Sequence, residues 1–517
     1  MKKELQQPTM PDSKTDHYDI AVIGSGIGGL TAAALLAHAG KSVIVVEQHD
    51  RPGGYAHSFK RKRYLFDSGV HLISGCGLEG YQGGQLIRKV LQCIRVYDQL
   101  EFIQVNPFAN ADYPGIQIGL PISIDAFVST LAKRFPDQEQ GLRQLIDLCQ
   151  SVTEQATMAD EVMATKDSAM IQARLPLLLK YRQMTLAEVW DEFIQNKQLQ
   201  SIIASNWPYL GLPPGKVSFV YWATMLIGYL VDGAHYCKGG FQKLAESLVN
   251  GLSKNAGKIR YKSAVKKISV EDNQVKSIQL VSGECIHASI IISNADVRQT
   301  VTHLIGEDYF PNRYVARLNR MQHSLSIFVV YLATDLDLVS LGLQQEAFYY
   351  DHFDHEAHYA NSVNGDSSWL GITIPTLMDD SLAPKGQHLI MLTTLTPYHL
   401  HSDWSQAKPE FTEKMLTFAD KKIPGLKEHV LFIESGSPAT MERYTSNHKG
   451  SAYGWEVTPE QSGANRLANK TPIDGLFFAG HWASPGGGIY GVVYSGVQTA
   501  QQILGITKQD DFWRQMG

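Results

Sequence analysis

A glycine-rich turn near the N-terminus has the residue types and spacing needed to bind a phosphate group. The turn consists of Gly24, Ser25, Gly26, Ile27, Gly28 and Gly29. The first glycine permits a tight turn, the next lets the main chain approach a pyrophosphate, and Gly29 allows a helix to contact a strand closely. The N–H groups at the start of such a helix favour negative charge. The chemistry expected here is the binding of a dinucleotide.

The segments around the turn complete a dinucleotide-binding unit. The apolar run at residues 17–23 predicts a buried parallel strand, residues 30–38 predict a helix capped by Gly40, and residues 42–46 predict a second strand. Glu47 then stands where its carboxylate can accept hydrogen bonds from ribose hydroxyls. Because an acid here suits an unphosphorylated ribose, FAD or NAD is expected rather than NADP. A turn without a ligand is the alternative, and the complete strand–helix–strand context argues against it.

Two further glycine turns extend this site. Gly53 and Gly54 follow the second strand, and such a loop can fold over a nucleotide, although the pair alone indicates only a turn. Near the C-terminus a strand ends at Gly480-His481, and residues 485–491, PGGGIYG, lead into a helix. The positive end of that helix can face the N1–C2 carbonyl edge of a flavin, where charge develops on reduction. The residues placed to face the cofactor are Gly487, Gly488 and Ile489. A capped terminal helix beside a flexible turn is the alternative.

The elements that must position these turns fall into two groups. A helix after Gly239-Gly240 and strands at residues 258–261, 265–270, 275–281 and 287–293 are predicted to return to the dinucleotide-binding domain, which a strand at 475–479 and a final helix at 490–504 complete. Helical spacing dominates residues 126–202. Strands at residues 324–332 and 389–395, with a helix at 411–421, predict a second sheet.

We therefore expect two folded domains in this chain of 517 residues. The cofactor domain is assigned residues 17–75, 236–298 and 471–517. The substrate domain, with its helical insertion, is assigned residues 76–235 and 299–470. Residues 1–16 are predicted to be a disordered leader.

Composition and charge exclude several classes of protein. A net charge of −5 and the lack of a long basic run argue against a nucleic-acid partner, and the basic residues 60–63 are interpreted as a solvated turn between strands. Five cysteines without C-x-x-C spacing indicate neither a disulfide framework nor a zinc site. The N-terminus does not have the pattern of a signal peptide, so a cytoplasmic location is expected. The apolar segment 217–231 is too short to span a bilayer, and a buried helix is favoured over a patch on a membrane surface.

Three segments carry a family resemblance. YDIAVIGSGIGGL with VVEQHDRPGG, GGFQKLAESL with AVKKI, and GLFFAGHWASPGGGIYGVVYSG resemble the phytoene desaturase, carotenoid isomerase and retinol saturase group of flavoproteins. The resemblance covers both ends of the chain and the segment 239–296, but not the helical middle. It implies an α/β fold, in which a Rossmann-type, glutathione-reductase-like FAD domain is joined to a mixed helical and β-sheet substrate domain. It also implies non-covalent FAD in an extended form.

The resemblance further implies a role for individual residues. Besides the first glycine turn and Glu47, which would hold the adenosine and pyrophosphate, Val265 would contact the adenine through its main chain, and Gly480 would face the ribityl chain and the flavin. His481 departs from the pattern, because many flavoproteins of this fold carry an acid there that bonds the ribityl chain. A histidine N–H could still donate a hydrogen bond.

The candidate reacting groups are few, because the flavin itself does the difficult step. His71 is the first candidate for acid–base chemistry, because the turn that carries it should approach the flavin; a core histidine bonded to a carbonyl is the alternative. The segment YLFDSGVH around it most resembles the retinol saturase branch. His481 is the second candidate, as a contact of the ribityl chain or flavin more than as a catalyst, and Tyr490, at a helix start, is expected to line the ring and is a further catalytic candidate. Tyr453 and Trp455 are interpreted as walls for the substrate or as core. A further histidine group, interpreted as a solvated loop and not as a metal site, comprises His352, His355 and His358.

The function expected is chemistry at a C=C bond of an apolar conjugated substrate such as a carotenoid, a retinoid or a polyene acyl chain. Desaturation, saturation and cis–trans isomerisation all remain open. A flavin amine oxidase and a non-enzymatic carrier of lipids or prenyl groups are the alternatives. Since no second nucleotide fingerprint is evident, the electron partner is expected to be a quinone, oxygen or a redox protein rather than NAD(P)H. Peripheral contact with a membrane is compatible with such a substrate.

Overall fold

The computed structural model describes residues 17–77 and 85–517, so the predicted leader at residues 1–16 lies outside the described residues. The strands, in chain order, are β1 (His17–Ile23), β2 (Val43–Val46), β3 (Ser58–Arg61), β4 (Tyr64–Asp67), β5 (Phe102–Val105), β6 (Ala109–Tyr113), β7 (Ile116–Leu120), β8 (Ala234–Cys237), β9 (Lys258–Arg260), β10 (Val265–Glu271), β11 (Gln274–Leu280), β12 (Cys285–Ser293), β13 (Ser326–Thr334), β14 (Glu346–Tyr350), β15 (Trp369–Thr373), β16 (His388–Thr396), β17 (Val430–Gly436) and β18 (Leu476–Phe478).

The α-helices are connected by short 3₁₀ and π-helical turns. In chain order they are α1 (Ile27–His38), α2 (Leu86–Cys93), α3 (Ile124–Arg134), α4 (Glu139–Ala164), α5 (Ser168–Arg174), α6 (Pro176–Tyr181), α7 (Leu186–Trp190), α8 (Lys197–Ile203), α9 (Phe219–Ile227), α10 (Gln242–Lys254), α11 (Val297–Gln299), α12 (Asn312–Arg320), α13 (His355–Asn364), α14 (Trp404–Lys422), α15 (Pro438–Thr445), α16 (Ile489–Ile503) and α17 (Gln509–Met516).

The first sheet has a parallel centre, with strand order β18–β12–β1–β2–β9, and the antiparallel strands β11 and β10 extend it beyond the first part of β12. Its central strands are short runs of β-branched residues, and every residue of β2 is buried. Strands of this kind are buried on both faces, because the crossover helices of a parallel sheet cover it. Residues 17–46, 258–293 and 476–478 supply these strands, as expected of an α/β dinucleotide-binding fold.

Helix α1 packs against α16 and α10 on one face of this sheet. It is buried from Ile27 to Ala37. A Cβ atom placed on Gly496 of α16 would lie 2.5 Å from the carbonyl oxygen of Gly28, so the two helices meet main chain to main chain. This close contact holds the N-terminal and C-terminal glycine turns side by side.

The second sheet has the strand order β17–β13–β16–β15–β14–β6–β7. Within this sheet, as far as the structure describes it, β14 and β6 form the only parallel pair. All nine residues of β13 are buried, because alternate side chains face two different apolar layers. Phe328, Val330 and Leu332 pack with α14, whereas Ile327 and Val329 face the main core. That second face of the sheet forms one wall of the cavity described below.

Most of the predicted elements are confirmed, and two interpretations are wrong. The strand at residues 17–23 is β1, the basic run 60–63 lies at the β3–β4 hairpin, and segment 217–231 contains the buried helix α9. Among the described residues, no helix is long and apolar enough to cross a membrane. The helix at 490–504 was expected to be the last, but α17 follows it.

The second error concerns the histidine group, which is not a solvated loop. His355 and His358 lie on α13 and are buried, with exposed fractions of 4% and 0%. Their neighbours are aromatic, and the ring of His358 stacks on that of His352 at 3.8 Å between centroids. Irregular polar sequence around the three histidines suggested a loop, whereas packing beneath the second sheet buries them. Within residues 17–77 and 85–517, no group of three His, Cys, Asp or Glu residues could hold a metal ion.

These buried histidines predict that the protein loses stability in acid. Burial lowers the pKa of His355 to about 3 and that of His358 to about 4. Both values lie below the unfolded value of about 6.5, so the unfolded chain binds more protons as the pH falls below that value. At pH 5 each histidine then lowers the free energy of unfolding by about 2 kcal/mol, relative to its value well above pH 6.5.

The measurement is the thermal midpoint at about pH 7.5 and pH 5 for the wild type and for His355→Gln. Glutamine keeps a donor for the carbonyl oxygen of Ser201, 2.8 Å from His355 Nε2, but it does not titrate. The variant is therefore expected to lose less stability between the two pH values. Equal losses in both proteins would assign the acid sensitivity to other groups.

Candidate cofactor-binding and active site

The first glycine turn lies where β1 ends and α1 begins. Gly24 has a φ of +90°, which favours glycine, and Gly53 donates its N–H to the carbonyl oxygen of Ser25 at 2.9 Å. A Cβ atom on Gly54 would lie 3.4 Å from the Cα of Gly26. The loop predicted to fold over a nucleotide therefore lies directly against the phosphate-binding turn.

Glu47 is buried at the end of β2 and contacts the same turn. Its Oε2 accepts hydrogen bonds from the N–H and the hydroxyl of Ser25, at 2.8 and 2.6 Å, and its Oε1 accepts one from the N–H of His49 at 2.8 Å. A carboxylate offers roughly four acceptor positions. One position is thus left for a ribose hydroxyl. Val265 lies nearby at the start of β10, because the N–H of Ser263 donates to the main-chain oxygen of Glu47 at 2.8 Å.

Asn294 also belongs to this site, and sequence reasoning missed it. Its Oδ1 accepts a hydrogen bond from the N–H of Gly29 at 2.7 Å, and its side chain fills the space that a Cβ atom on Gly26 would need. Asn294 directly follows β12, the parallel neighbour of β1. The only sequence signal is a polar residue at the carboxyl end of a strand that had been assigned to the cofactor domain.

Replacement of Asn294 by alanine is expected to weaken FAD binding about fivefold. The change leaves the Gly29 N–H without its protein acceptor and loosens the turn, and one such hydrogen bond contributes roughly 1 kcal/mol. The dissociation constant of FAD for the reconstituted apoprotein measures the effect. Asn250→Ala is the control, because Asn250 is an exposed amide that bonds only Gln99 among the described residues. Equal affinity in the two variants would contradict this role of Asn294.

The C-terminal turn meets the first turn through two glycines. A Cβ atom on Gly28 would lie 2.9 Å from both N and Cα of Gly480, whose own φ is +97°. Gly488, with a φ of +79°, precedes α16, and no heavy atom would lie within 4 Å of a Cβ atom there. The N-terminus of α16 therefore opens onto space beside the two turns. Tyr221 donates its hydroxyl to the carbonyl oxygen of Gly487 at 3.0 Å. This tyrosine belongs to the apolar segment 217–231, for which a buried helix or a patch on a membrane surface was expected.

His481 is neutral in this position and has a defined tautomer. Burial and the charge of Arg466 lower its pKa to about 3. Its Nε2 lies 3.3 Å from Oδ1 of Asn447, which also accepts the indole N–H of Trp482 at 2.7 Å. Since an indole N–H only donates, Oδ1 is an acceptor and His481 Nε2 carries the proton. The Nδ1 atom is then the acceptor, and it can take a hydrogen bond from a hydroxyl group, as a carboxylate would.

Four side chains show that the turns border an internal cleft. Burial raises the pKa of Tyr55, and it raises the pKa values of Tyr453 and Tyr490 well above the ordinary range. Burial likewise lowers the pKa of His481. All four nevertheless keep part of their surface accessible. Their accessible surface thus faces internal space, which, with the glycine turns, fits the extended form of FAD.

A cavity of about 50 Å³ adjoins this cleft. It is lined mainly by apolar and aromatic side chains, together with one charged pair. The lining residues are Gly69, His71, Pro208, Tyr209, Ile327, Glu346, Phe348, Trp369, Gly371, Thr373, Thr393, Leu395 and Tyr453. Tyr453 belongs to both spaces, because a Cβ atom on Gly487 would lie 3.1 Å from its main-chain oxygen. The cavity therefore lies next to the C-terminal cofactor turn.

His71 and Glu346 form the charged pair of this cavity. His71 Nε2 lies 3.3 Å from Glu346 Oε1, and the glutamate side chain is only 1% exposed. Burial alone would lower the pKa of His71, but the charge and the hydrogen bond of Glu346, with a contribution from Asp67, leave it raised. Thr373 donates its hydroxyl to Glu346 Oε2 at 2.8 Å. The pair can hold a proton at His71 inside an apolar cavity.

The turn that carries His71 is held by Asp67, a second residue that sequence reasoning did not identify. Asp67 accepts hydrogen bonds from the Ser58 hydroxyl at 2.6 Å, the Phe241 N–H at 2.8 Å and the Tyr236 hydroxyl at 2.8 Å. Burial raises its pKa. These bonds join the β3–β4 hairpin to β8 and to the start of α10. They position His71 from three separate parts of the chain.

Two residues predicted for the active site lie outside the cavity lining. Trp455 is fully buried, donates its indole N–H to the oxygen of Trp482 at 2.8 Å and packs edge-on against that ring. Tyr490 is in the first turn of α16, where its ring lies 2.8 Å from the position of a Cβ atom on Gly75. Both residues are near the cofactor turns rather than beside His71.

The comparisons with known proteins agree with this geometry. The model of the flavin-containing amine oxidoreductase family matches residues 27–504. Among the similar proteins, prolycopene isomerase 1 of an Oncidium hybrid is 27% identical, over 96% of this chain and 86% of the relative. All-trans-retinol 13,14-reductase of Danio rerio is 25% identical, over 92% of this chain and 84% of the relative. The lycopene-forming phytoene desaturase of Pseudescherichia vulneris is 26% identical, over 93% of this chain and 98% of the relative.

Solved structures give the same fold. An oxidoreductase from Methanosarcina mazei aligns with a TM-score of 0.63 and 19% identity, covering 93% of this chain and 99% of that one. Putrescine oxidase aligns with a TM-score of 0.63 and 14% identity, covering 95% of this chain and 99% of that one. The predicted α/β fold with a Rossmann-type domain and the predicted resemblance are confirmed. The chain belongs to the flavin-containing amine oxidoreductase family, and it is an FAD-dependent oxidoreductase.

Proposed function

We propose that this enzyme acts on a C=C bond of an apolar conjugated polyene and that His71 exchanges the proton of the reaction. The observation that carries the proposal is the cavity beside the cofactor turns. Its wall is aromatic and aliphatic, and the His71–Glu346 pair is its only charged group among the described lining residues. Such a lining is chemically suited to a hydrocarbon and offers one proton, and a cavity of about 50 Å³ encloses only the reacting part of a polyene. The named relatives are a polyene isomerase, a reductase and a desaturase.

The cofactor is assigned to the two glycine turns. Gly24, Ser25, Gly26, Gly28 and Gly29 would surround the pyrophosphate, with Glu47 at the ribose and Val265 at the adenine. The flavin end would lie at the C-terminal turn, where the contacting residues are Gly480, His481, Gly487, Gly488 and Ile489. Gly53 and Gly54 would cover the nucleotide, and Tyr490 and Trp455 would support the ring end of the cleft. Bound FAD supplies hydride transfer.

The protein's own contribution is to exclude water and to keep the His71 imidazole protonated. Because Glu346 is buried and its negative charge faces the ring, the protonated imidazole persists to higher pH than that of an exposed histidine. Since Nε2–H bonds Glu346, the proton that His71 would donate to a carbon of the polyene is the one on its other ring nitrogen, Nδ1. The protonated imidazole can serve saturation or isomerisation, whereas desaturation would require His71 to begin as a base.

The electron partner and the location in the cell extend this proposal. A quinone, oxygen or a redox protein would exchange electrons with the cofactor, since no second nucleotide turn was recognised in the sequence. An apolar substrate would come from a membrane, so a cytoplasmic enzyme with peripheral membrane contact is proposed. Rapid stoichiometric reduction of the flavin by micromolar NADPH would contradict the first of these assignments.

The test is product analysis with a panel of carotenoids, retinoids and polyene fatty acids, incubated anaerobically with the reduced and with the oxidised holoenzyme. A product of changed hydrogen content or double-bond geometry, formed only with enzyme, is the expected result. No change in any polyene, under either condition, would contradict the proposal.

Amine oxidation is the second candidate, because Tyr209, Tyr453, Phe348 and Trp369 all border the cavity. Aromatic rings of this kind can enclose a neutral amine. The positive charge favoured at His71 opposes the binding of a protonated amine, so this activity ranks below polyene chemistry. Hydrogen peroxide released from an amine panel, with no polyene turnover, would reverse that order.

A further inference from the structure

Arg466 is a buried arginine whose guanidinium, within the described part of the chain, donates its hydrogen bonds to main-chain oxygens. It is 2% exposed. Its Nε donates to the oxygen of Ala483 at 3.0 Å, and its Nη2 donates to the oxygens of His481 at 2.6 Å and Trp455 at 3.3 Å. These acceptors belong to the strand end and the turn assigned to the flavin. Arg466 therefore lies directly behind the C-terminal cofactor turn.

No carboxylate of the described residues neutralises this guanidinium. Every ion pair found in residues 17–77 and 85–517 involves other groups, and the titratable groups coupled to this guanidinium are the phenol of Tyr221 and the imidazole of His481, neither of them a carboxylate. Burial lowers the pKa of Arg466 to about 10, so the group stays charged at neutral pH. A buried cation without a paired anion is costly and is retained only where something offsets that cost.

The cation lies near the positive end of a helix. A Cβ atom on Gly486 would be 3.2 Å from Cζ of Arg466, and α16 begins at Ile489, three residues later. Both positive features therefore border the same turn. An anion bound at this turn would be stabilised by the guanidinium and by the N-terminus of α16 together.

We propose that Arg466 is the counter-charge of the reduced flavin and raises the reduction potential of the bound cofactor. Oxidised FAD accepts two electrons and one proton, as a hydride from a substrate or from dithionite and water, and its reduced ring then carries one negative charge. Arg466 favours that charged product over the neutral oxidised ring. The proposal rests on FAD binding and not on polyene chemistry, so reduction by dithionite tests it without a substrate.

The first measurement is the midpoint potential of the holoenzyme with a reference dye. In Arg466→Met the binding of reduced FAD is expected to weaken at least tenfold relative to that of oxidised FAD, which lowers the two-electron potential by about 30 mV. Arg466→Lys keeps the charge and should recover most of the shift. A purely structural clamp would change stability or affinity for both redox states and leave their ratio within twofold, which would overturn the proposal.

Arg298→Met is the matched control. Its guanidinium stacks on Trp455 at 5.0 Å and donates to the oxygen of Met321, but Asp296 lies beside it as a counter-charge. Its loss should leave the ratio of reduced to oxidised FAD affinity within twofold of the wild type. A shift equal to that of Arg466→Met would show a general effect of positive charge and overturn the specific role.

A wild-type measurement decides the question if Arg466→Met does not fold. The equilibrium constant for reduction falls tenfold per pH unit when one proton accompanies two electrons, and a hundredfold when two protons do. The proposal expects the tenfold slope in the holoenzyme down to about pH 5.5, because Arg466 keeps the reduced ring anionic. A hundredfold slope at that pH would overturn it.

Discussion

His71→Gln is expected to lower kcat between about a hundredfold and ten-thousandfold, with little change in the flavin spectrum. Glutamine keeps the size and one donor of the side chain, but it cannot release a proton to the substrate. The effect should be on kcat, because the apolar wall of the cavity that binds the substrate is unchanged. Steady-state rates with the best substrate of the polyene panel measure it.

The control and the pH profile separate chemistry from structure. His303→Gln changes an exposed histidine that contacts Thr302, and it should leave kcat unchanged. Because the pKa of His71 is raised, the wild-type rate should hold to higher pH than an ordinary histidine would allow and fall as the pH rises through that pKa. His71→Gln should lack this alkaline limb. A kcat within threefold of the wild type would refute proton donation by His71.

Glu346→Gln should move the same limb to lower pH. The amide keeps the volume of Glu346 and can accept the hydrogen bond from His71, but it removes the negative charge that faces the imidazole at 3.3 Å. Burial would then dominate and lower the pKa of His71. The pH dependence of kcat in the two proteins is the comparison. An unchanged profile would show that another group sets the alkaline limb.

Gly28→Val is expected to abolish measurable FAD binding, with a loss of at least about a hundredfold in affinity. Its Cβ atom would lie 2.9 Å from the main chain of Gly480 and 3.0 Å from the oxygen of Val492, and main-chain atoms cannot move aside without displacing α1 from α16. Overpacking of this kind costs roughly 1–3 kcal/mol or more, and here it falls on the contact between both cofactor turns. Fluorescence titration of the apoprotein with FAD measures the loss.

Gly28→Ala gives an intermediate test of the same contact. Alanine favours a helix over glycine by about 1 kcal/mol, so any loss of affinity must come from the close contact and not from helix propensity. Gly40→Ala is the control: its φ is +84°, but no heavy atom lies within 4 Å of the added Cβ, and the residue is far from both turns. Its cost should appear in the thermal midpoint alone. Normal FAD affinity in Gly28→Val would contradict the assigned cofactor site.

Sequence patterns were sufficient where the determinants are local. The strand β1, the glycine turn and the start of α1 follow one another within twenty residues, so periodicity and glycine spacing predict them together. The C-terminal turn was recognised for the same reason, since a short apolar strand, three glycines and an amphipathic helix are consecutive. Relatives named for polyene chemistry then confirmed the group that these local motifs indicated.

The remaining features depend on contacts between distant segments. Asn294 reaches Gly29 across 265 residues of sequence, and Glu346 of β14 reaches His71 in the segment that follows the β3–β4 hairpin. Glu346 is one acid in the apolar strand β14, and nothing in that segment indicates that it is buried against an imidazole. Arg466 is equally inconspicuous, because its partners are main-chain oxygens that any sequence would provide. The histidines of α13 were misassigned because tertiary packing, not local polarity, decides their burial.

The central claim is tested most directly by the absorption spectrum of the purified holoenzyme, recorded before and after anaerobic addition of a polyene. Extraction of the polyene after the reaction separates its bands from those of the flavin. We expect flavin bands in the purified protein, and we expect dithionite-reduced enzyme to change the polyene spectrum, with His71→Gln slowing that change. A flavin spectrum that is normal while neither the oxidised nor the reduced enzyme alters any polyene would contradict the account.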